Sequence, residues 1–151
     1  MMKLRKKIVV LVLTSIAPFV SADTKNKTSD IPDAPKRTNA KNYKDMVLAY
    51  CISDVYKNDP NVSKDASSTG SAIVEWTSYD AEHSVEEMNA LIKKYTDRTY
   101  HHPLVEYKGI EFGLLKCLDM YHSKELDMQV KKYVSKPNWV FDKPVKGGVR
   151  K

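Results

Sequence analysis

Apolar side chains recur at spacings of three and four along several stretches of the chain, and nowhere alternate at period two for long enough to mark a strand. Tyr43, Met46, Val47, Tyr50, Cys51 and Val55 form the first stripe, with Asp45 and Asp54 off it. Asn58-Asp59-Pro60-Asn61 stops that helix, because proline has no amide donor and bars helical backbone in the residue before it. Ser63 is read as the cap of a second helix over 64–79, whose first half is built of Ala66, Ser67, Gly70, Ser71 and other small residues. Ile73, Trp76 and Thr77 continue its spacing, and the small side chains would let another helix backbone approach closely. Ser84-Val85-Glu86-Glu87 has the form of a capping box and predicts the start of a third helix carrying Met88, Leu91, Ile92, Tyr95 and Thr99 on one face.

Residues 100–109 hold Pro103 and Gly109 and read as a loop or short extended piece. A fourth helix is expected over 110–122, with Leu114, Leu115, Cys117, Leu118 and Tyr121 as its apolar residues. Ser123 can cap a fifth, over 124–134, with Leu126, Val130, Tyr133 and Val134 inward. The fold class that follows is all-α, a small bundle of about five helices.

The ends of the chain differ from this core, which spans 43–134. Lys3, Arg5, Lys6 and Lys7 precede an apolar run over 8–21 that ends in Val20-Ser21-Ala22. A basic start, a short apolar stretch and small residues at a cut form the pattern of a cleaved signal peptide over 1–22. The run is broken by Pro18 and falls short of the roughly 20 residues that a membrane span needs. Residues 23–42 carry Pro32 and Pro35 among Lys, Asn, Thr and Asp and read as a flexible arm. The tail over 135–151 is irregular, interrupted by Pro137, Pro144 and Gly147-Gly148, although Trp139, Val140 and Phe141 could dock on the body or on a partner.

Charge then loses its first meaning. The formal +6 of the 151-residue chain includes the four basic residues of the leader, so the mature protein sits near +2 and nucleic acid is not an expected partner. Export to a periplasm, with no membrane attachment after cleavage, is the expected location. Cys51 and Cys117 both remain after cleavage, and two thiols in an oxidising compartment most often pair. Such a bridge closes a loop of about 67 residues and stabilises the fold by about 4 kcal/mol on the chain-entropy model. Two buried free thiols or a zinc pair are the alternatives, and the lack of a second ligand at short spacing counts against zinc.

Catalytic constellations are weak. A cysteine hydrolase needs a thiolate beside a histidine on an exposed element, whereas both cysteines lie in apolar helical stripes with no flanking glycine. His101-His102 with Glu106 could hold a metal, but adjacent loop histidines project in different directions and no histidine pair stands at spacing four. Asp80, Glu82, Glu86 and Glu87 suit a helix start better than an acid–base dyad. No phosphate cradle, cofactor or metal is expected. An aromatic loop remains: Arg98, Tyr100, His101, His102, Leu104, Glu106 and Tyr107 surround Pro103, a composition suited to a protein interface.

Three strings carry a family resemblance. They are Tyr43-Lys44-Asp45-Met46-Val47-Leu48-Ala49-Tyr50-Cys51-Ile52, the run from Ser63 through Gly70 and Ala72 to Glu75-Trp76, and Leu115-Lys116-Cys117-Leu118-Asp119-Met120-Tyr121. In order and cysteine placement they resemble the type VI secretion amidase immunity family, over nearly all of the predicted core. The resemblance implies a periplasmic, all-helical, non-catalytic homodimer. It further implies a cognate peptidoglycan amidase effector as partner, inhibited by obstruction of its cysteine active site and so kept from lysing the cell. It supplies no catalytic residues to carry over. Outside the resemblance, a small envelope cysteine hydrolase and a generic periplasmic binding or chaperone protein are the competing classes. For self-association the expected contact is the small-residue face of Ala66, Gly70 and Ser71, because an isologous pair is the commonest oligomer and that face has room for it.

Overall fold

The computed structural model describes Asp30, residues 32–101 and residues 108–142. The chain divides at Asp30, and every element below belongs to the unit that follows it. Among the described residues there are five α-helices and no strand: α1 Asn39–Val55, α2 Pro60–Val74, α3 Ala81–Thr96, α4 Gly113–Tyr121 and α5 Lys124–Tyr133. A short 3-10 turn, Ala34–Lys36, precedes them. No described helix is long and apolar enough to cross a membrane.

Helix α1 is the hub and packs against all four others. Its stripe of Tyr43, Met46, Val47 and Cys51 is completely buried, joined in the core by Met120 and Leu126 from the far end of the chain. Each such apolar side chain contributes about 1.5–3 kcal/mol by leaving water. The Tyr43 ring meets Tyr79 edge-to-face at 5.4 Å, and burial pushes its hydroxyl up to about 12, so that it stays protonated. The Tyr43 hydroxyl donates to Gln129 Oε1 at 3.4 Å, and the Gln129 amide donates to the Glu87 carbonyl at 2.8 Å, which ties α1, α5 and α3 together by polar contacts inside the bundle.

Helix α2 lies along α1 on its small residues. Ala66 and Ile73 are buried, and a side chain at Gly70 would meet the Tyr50 ring at 2.7 Å. The small-residue face is therefore an internal seam. The expectation that Ala66 and Gly70 serve a contact between two copies is corrected: Tyr50 of the same chain already fills that space, while Ser71 faces water and donates to the Ser67 carbonyl at 3.0 Å.

Helix α1 starts four residues ahead of the expected core, at Asn39, and three later helix starts also differ from the sequence expectations, each for a local reason. Helix α2 begins at Pro60, because Asp59 accepts from the amides of Asn61 and Val62 and proline suits a first helical position whose amide would otherwise lack a partner. The Asp59-Pro60 pair both stops α1 and starts α2, and Ser63 instead bonds across to Ser53. Helix α3 begins at Ala81: Asp80 accepts from the His83 amide at 3.1 Å, so Ser84 falls inside the helix and is completely buried. The capping box is thus displaced, and Glu87 pairs with Lys132 instead. Helix α4 begins at Gly113 rather than at residue 110, after Phe112 in the left-handed conformation with φ 53°. Only α5 starts where expected, with Ser123 accepting from the Leu126 amide at 3.1 Å.

The flexible arm is also corrected, from Ala34 onward. Asn39 and Asn42 are completely buried, although neither belongs to an apolar pattern. Asn42 donates to the carbonyls of Ala34 and Trp76, while Asn39 donates to Lys136 O and accepts from the Ser78 amide at 3.1 Å. The chain after α5 completes this corner. Carbonyls of Trp139 and Pro137 accept from the Asn39 and Ala40 amides at 2.9 and 3.0 Å, satisfying donors that every helix N-terminus leaves open. Thr38 and Val140 form an isolated antiparallel bridge, and Asp142 donates to the Pro35 carbonyl at 2.8 Å. The expected leader, residues 23–29 and 31 of the arm, and the end of the tail after Asp142 lie outside the described residues.

Candidate functional site

Two features meet where α3 ends and α4 begins. The first is the start of the aromatic loop. Arg98 lies over the Tyr95 ring at 3.5 Å, a cation–π contact that fixes the guanidinium at the helix end. The Tyr95 hydroxyl donates to Glu125 at 2.6 Å, and Lys94 pairs with the same carboxylate, which holds Glu125 below the usual carboxylate range. Tyr100 donates to Asp119 on α4, and burial together with that carboxylate pushes its hydroxyl above the usual tyrosine value. His101 is exposed beside them. Of the seven residues expected to contact a partner, the structure thus gathers Arg98, Tyr100 and His101. His102, Leu104, Glu106 and Tyr107 lie outside the described residues.

The second feature is α4 itself, and sequence pattern alone places its faces wrongly. Leu114, Leu115 and Leu118, three of the expected helix's apolar residues, point out of the bundle and are 45%, 45% and 37% exposed. Lys116, Cys117 and Met120 point in. Lys116 is tolerated because its ammonium donates to the Thr96 carbonyl at the C-terminal end of α3, at 3.0 Å. The inward side is fastened by the Cys51–Cys117 disulfide, with Cα atoms 5.7 Å apart, which joins α1 to α4. Gly113 lets the helix start approach α1 closely, since a side chain there would meet Val55 at 3.0 Å. The leucine signal was present in the sequence, but three leucines on one helix read as core until the bridge and Lys116 fix which side faces in.

Chemically, this arrangement offers contact rather than turnover. Both sulfurs are buried and bonded to each other, so neither cysteine presents a thiolate, which removes the cysteine-hydrolase alternative. Among the described residues no cluster of three His, Cys, Asp or Glu side chains could hold a metal ion. A small disulfide-fastened helical bundle with an aromatic and cationic loop start and an outward apolar helix defines a protein-binding module.

A family model described as type VI secretion system (T6SS), amidase immunity protein (Tai4), matches residues 41–130, and the chain belongs to that family. It is an immunity protein and not an enzyme. A chain from the structural work on new type VI-secreted toxins and self-resistance proteins in Serratia marcescens is similar at 27% identity and a TM-score of 0.66, covering 78% of this chain and 95% of its own. A chain from the effector–immunity system Tae4/Tai4 of Salmonella typhimurium, solved as the selenomethionine variant, is similar at 27% identity and a TM-score of 0.60, covering 68% and 96%. No curated protein matches the chain.

Proposed function

We propose that this immunity protein works in the periplasm by seating the start of its aromatic loop over the active-site cleft of a cognate type VI peptidoglycan amidase. The observation that carries this reading is the pair of Arg98 and Tyr100, held from behind by Tyr95 and Asp119, with His101 exposed beside them. Side chains whose rotamers are fixed before contact lose less entropy on binding, and Tyr and Arg are the residue types that anchor interfaces. The signal-peptide pattern of residues 1–22 and a disulfide suited to an oxidising compartment support the periplasmic location. Inhibition by obstruction requires no catalytic group on this chain, only a standard interface of about 800 Å² per partner.

Association of two copies belongs to the same proposal and rests on the family likeness. Its contact must lie elsewhere than the Ala66–Gly70 seam, which α1 occupies.

The test is co-expression with the amidase encoded beside this chain, scoring lysis and co-purification. Protection and a stable complex are expected from the natural chain. A variant with Tyr100, His101 and His102 changed to Ala should lose both while keeping its helicity. Full protection by that variant would overturn the loop assignment, and lysis with no complex from the natural chain would overturn the whole reading.

A further inference from the structure

The outward face of α4 gathers three exposed leucines on one nine-residue helix. Leu114, Leu115 and Leu118 are joined by Ile110 at 49% and Tyr56 at 38% exposure. Between them runs a groove of about 450 Å³, floored by Val55 and Gly113 and edged by Phe112 and Glu111. Single exposed leucines need no explanation, but a contiguous apolar patch around an open groove marks a surface that a partner covers. The fold itself does not require this face to be apolar, because α4 is anchored through Cys117, Met120 and Lys116 on its other side.

Which partner covers it follows from continuity. Leu115 shares a second hollow with Thr99, Tyr100 and His101, so the leucine face and the loop start form one unbroken surface. The Tyr100–Asp119 hydrogen bond ties the loop start to α4, which fixes the two parts relative to each other. A protein seated on Tyr100 and His101 therefore also lies over Leu115.

We propose that the leucine face of α4 is the apolar half of the amidase-binding surface, an inference that rests on the inhibitor reading above. The enzyme inserts an apolar ridge beside its cleft into the groove between Tyr56 and Leu118, while the cleft mouth meets Arg98, Tyr100 and His101. The loop then supplies polar anchoring and the helix supplies the desolvated centre, the usual division between a rim and a hot spot.

The experiment titrates the purified amidase encoded beside this chain against three full-length immunity proteins expressed with export. These are the natural chain, Leu114→Gln with Leu118→Gln, and Ile110→Asp. Circular dichroism and light scattering on each give helicity and solution mass. Because the substituted residues are 37–49% exposed, helicity should hold and the solution mass should match the natural chain. Amidase affinity should fall at least about 30-fold in both variants, the loss expected for a hot spot.

Hydrogen exchange on the natural complex supplies a reading that needs no variant, with added protection expected over 113–118. Unchanged affinity with no added protection there would overturn the proposal while leaving the loop reading standing. Loss of a dimer with affinity retained would also overturn it, assigning the face to a second copy of this chain. Failure of the natural chain to bind the amidase at all would overturn the inhibitor reading and this surface with it.

Discussion

Helices α2 and α4 both lie against α1, and they meet it with opposite chemistry. Helix α2 turns its smallest side chains inward, Ala66 and Gly70, and leaves Lys64, Asp65, Ser68 and Ser71 in water. Helix α4 turns Lys116 inward and leaves three leucines in water. The first arrangement is what stability alone would select, since close backbone approach and a polar outer face complete a fold without inviting partners. The second breaks the local rule, and such breaks gather at sites that serve function. In α2 a single large apolar side chain, Val62 in the first turn, is left in water. In α4 the apolar groups remain available, and a covalent bond does part of the work that inward packing does elsewhere.

The contrast is broken most severely by removing that bond. Cys51→Ala with Cys117→Ala should cost about 4 kcal/mol of unfolding free energy, from the chain entropy regained by a long loop. Urea unfolding with and without reductant measures it. Hydrogen exchange on the variant should show α4 losing protection ahead of α2, because α4 is a nine-residue helix then held mainly by Met120, the Lys116–Thr96 bond and the Tyr121–Asp45 bond. Equal loss in both helices would show that α4 does not depend specially on the bridge.

The seam under α2 comes next. An Arg at position 70 must displace the Tyr50 ring or push α2 off α1, and overpacking of this kind costs about 1–3 kcal/mol. Gly70→Ala should fall at the low end of that range, since Tyr50 is only half-buried and its ring can swing outward. Thermal melts of the two variants give the order. A Gly70→Arg protein with natural stability but a smaller mass in solution would return the seam to the surface and erase the contrast with α4.

These two helices also show what could be read from the residues alone. The five-helix count and the inward stripe of α1 followed from spacing, because apolar periodicity is the strongest local signal a chain carries. The internal use of Gly70 was half visible: small residues announce close approach, but not whether the neighbour belongs to the same chain. The burial of Asn39 and Asn42 could not be read. Their place in the core is set by carbonyls of Ala34, Trp76 and Lys136, and long-range hydrogen bonds leave no trace in a hydrophobic pattern. The same holds for the candidate site. Arg98, Tyr100 and His101 were suggested by composition, whereas the leucine face stayed hidden because periodicity gives a stripe without saying which way it points.

A smaller effect sharpens the boundary behind α4. Ser123 stands between α4 and α5 and accepts from the Leu126 amide, so Ser123→Ala should cost about 1 kcal/mol. Ser123→Asp should restore most of it, since a carboxylate caps the same amide. Melting temperatures of the pair test the assignment, and a neutral Ser123→Ala would mean that the turn is held by packing of Leu126 rather than by its cap.

The smallest expected effect bears most directly on the comparison. Leu114→Gln and Leu118→Gln should each change folding stability by only about 0.5 kcal/mol, as surface substitutions do. Leu126→Ala, at a completely buried leucine, should cost about 2–5 kcal/mol in the same chain. The gap between identical residue types separates the two roles that leucine plays here. If a leucine on α4 instead cost several kcal/mol, its exposed atoms would not account for the loss, and the side chain would have to be holding α4 against Val55 across the groove. The face would then be core that the fold only half covers. A small cost leaves no folding reason for three leucines in water, and the remaining reason is a partner that removes them from it.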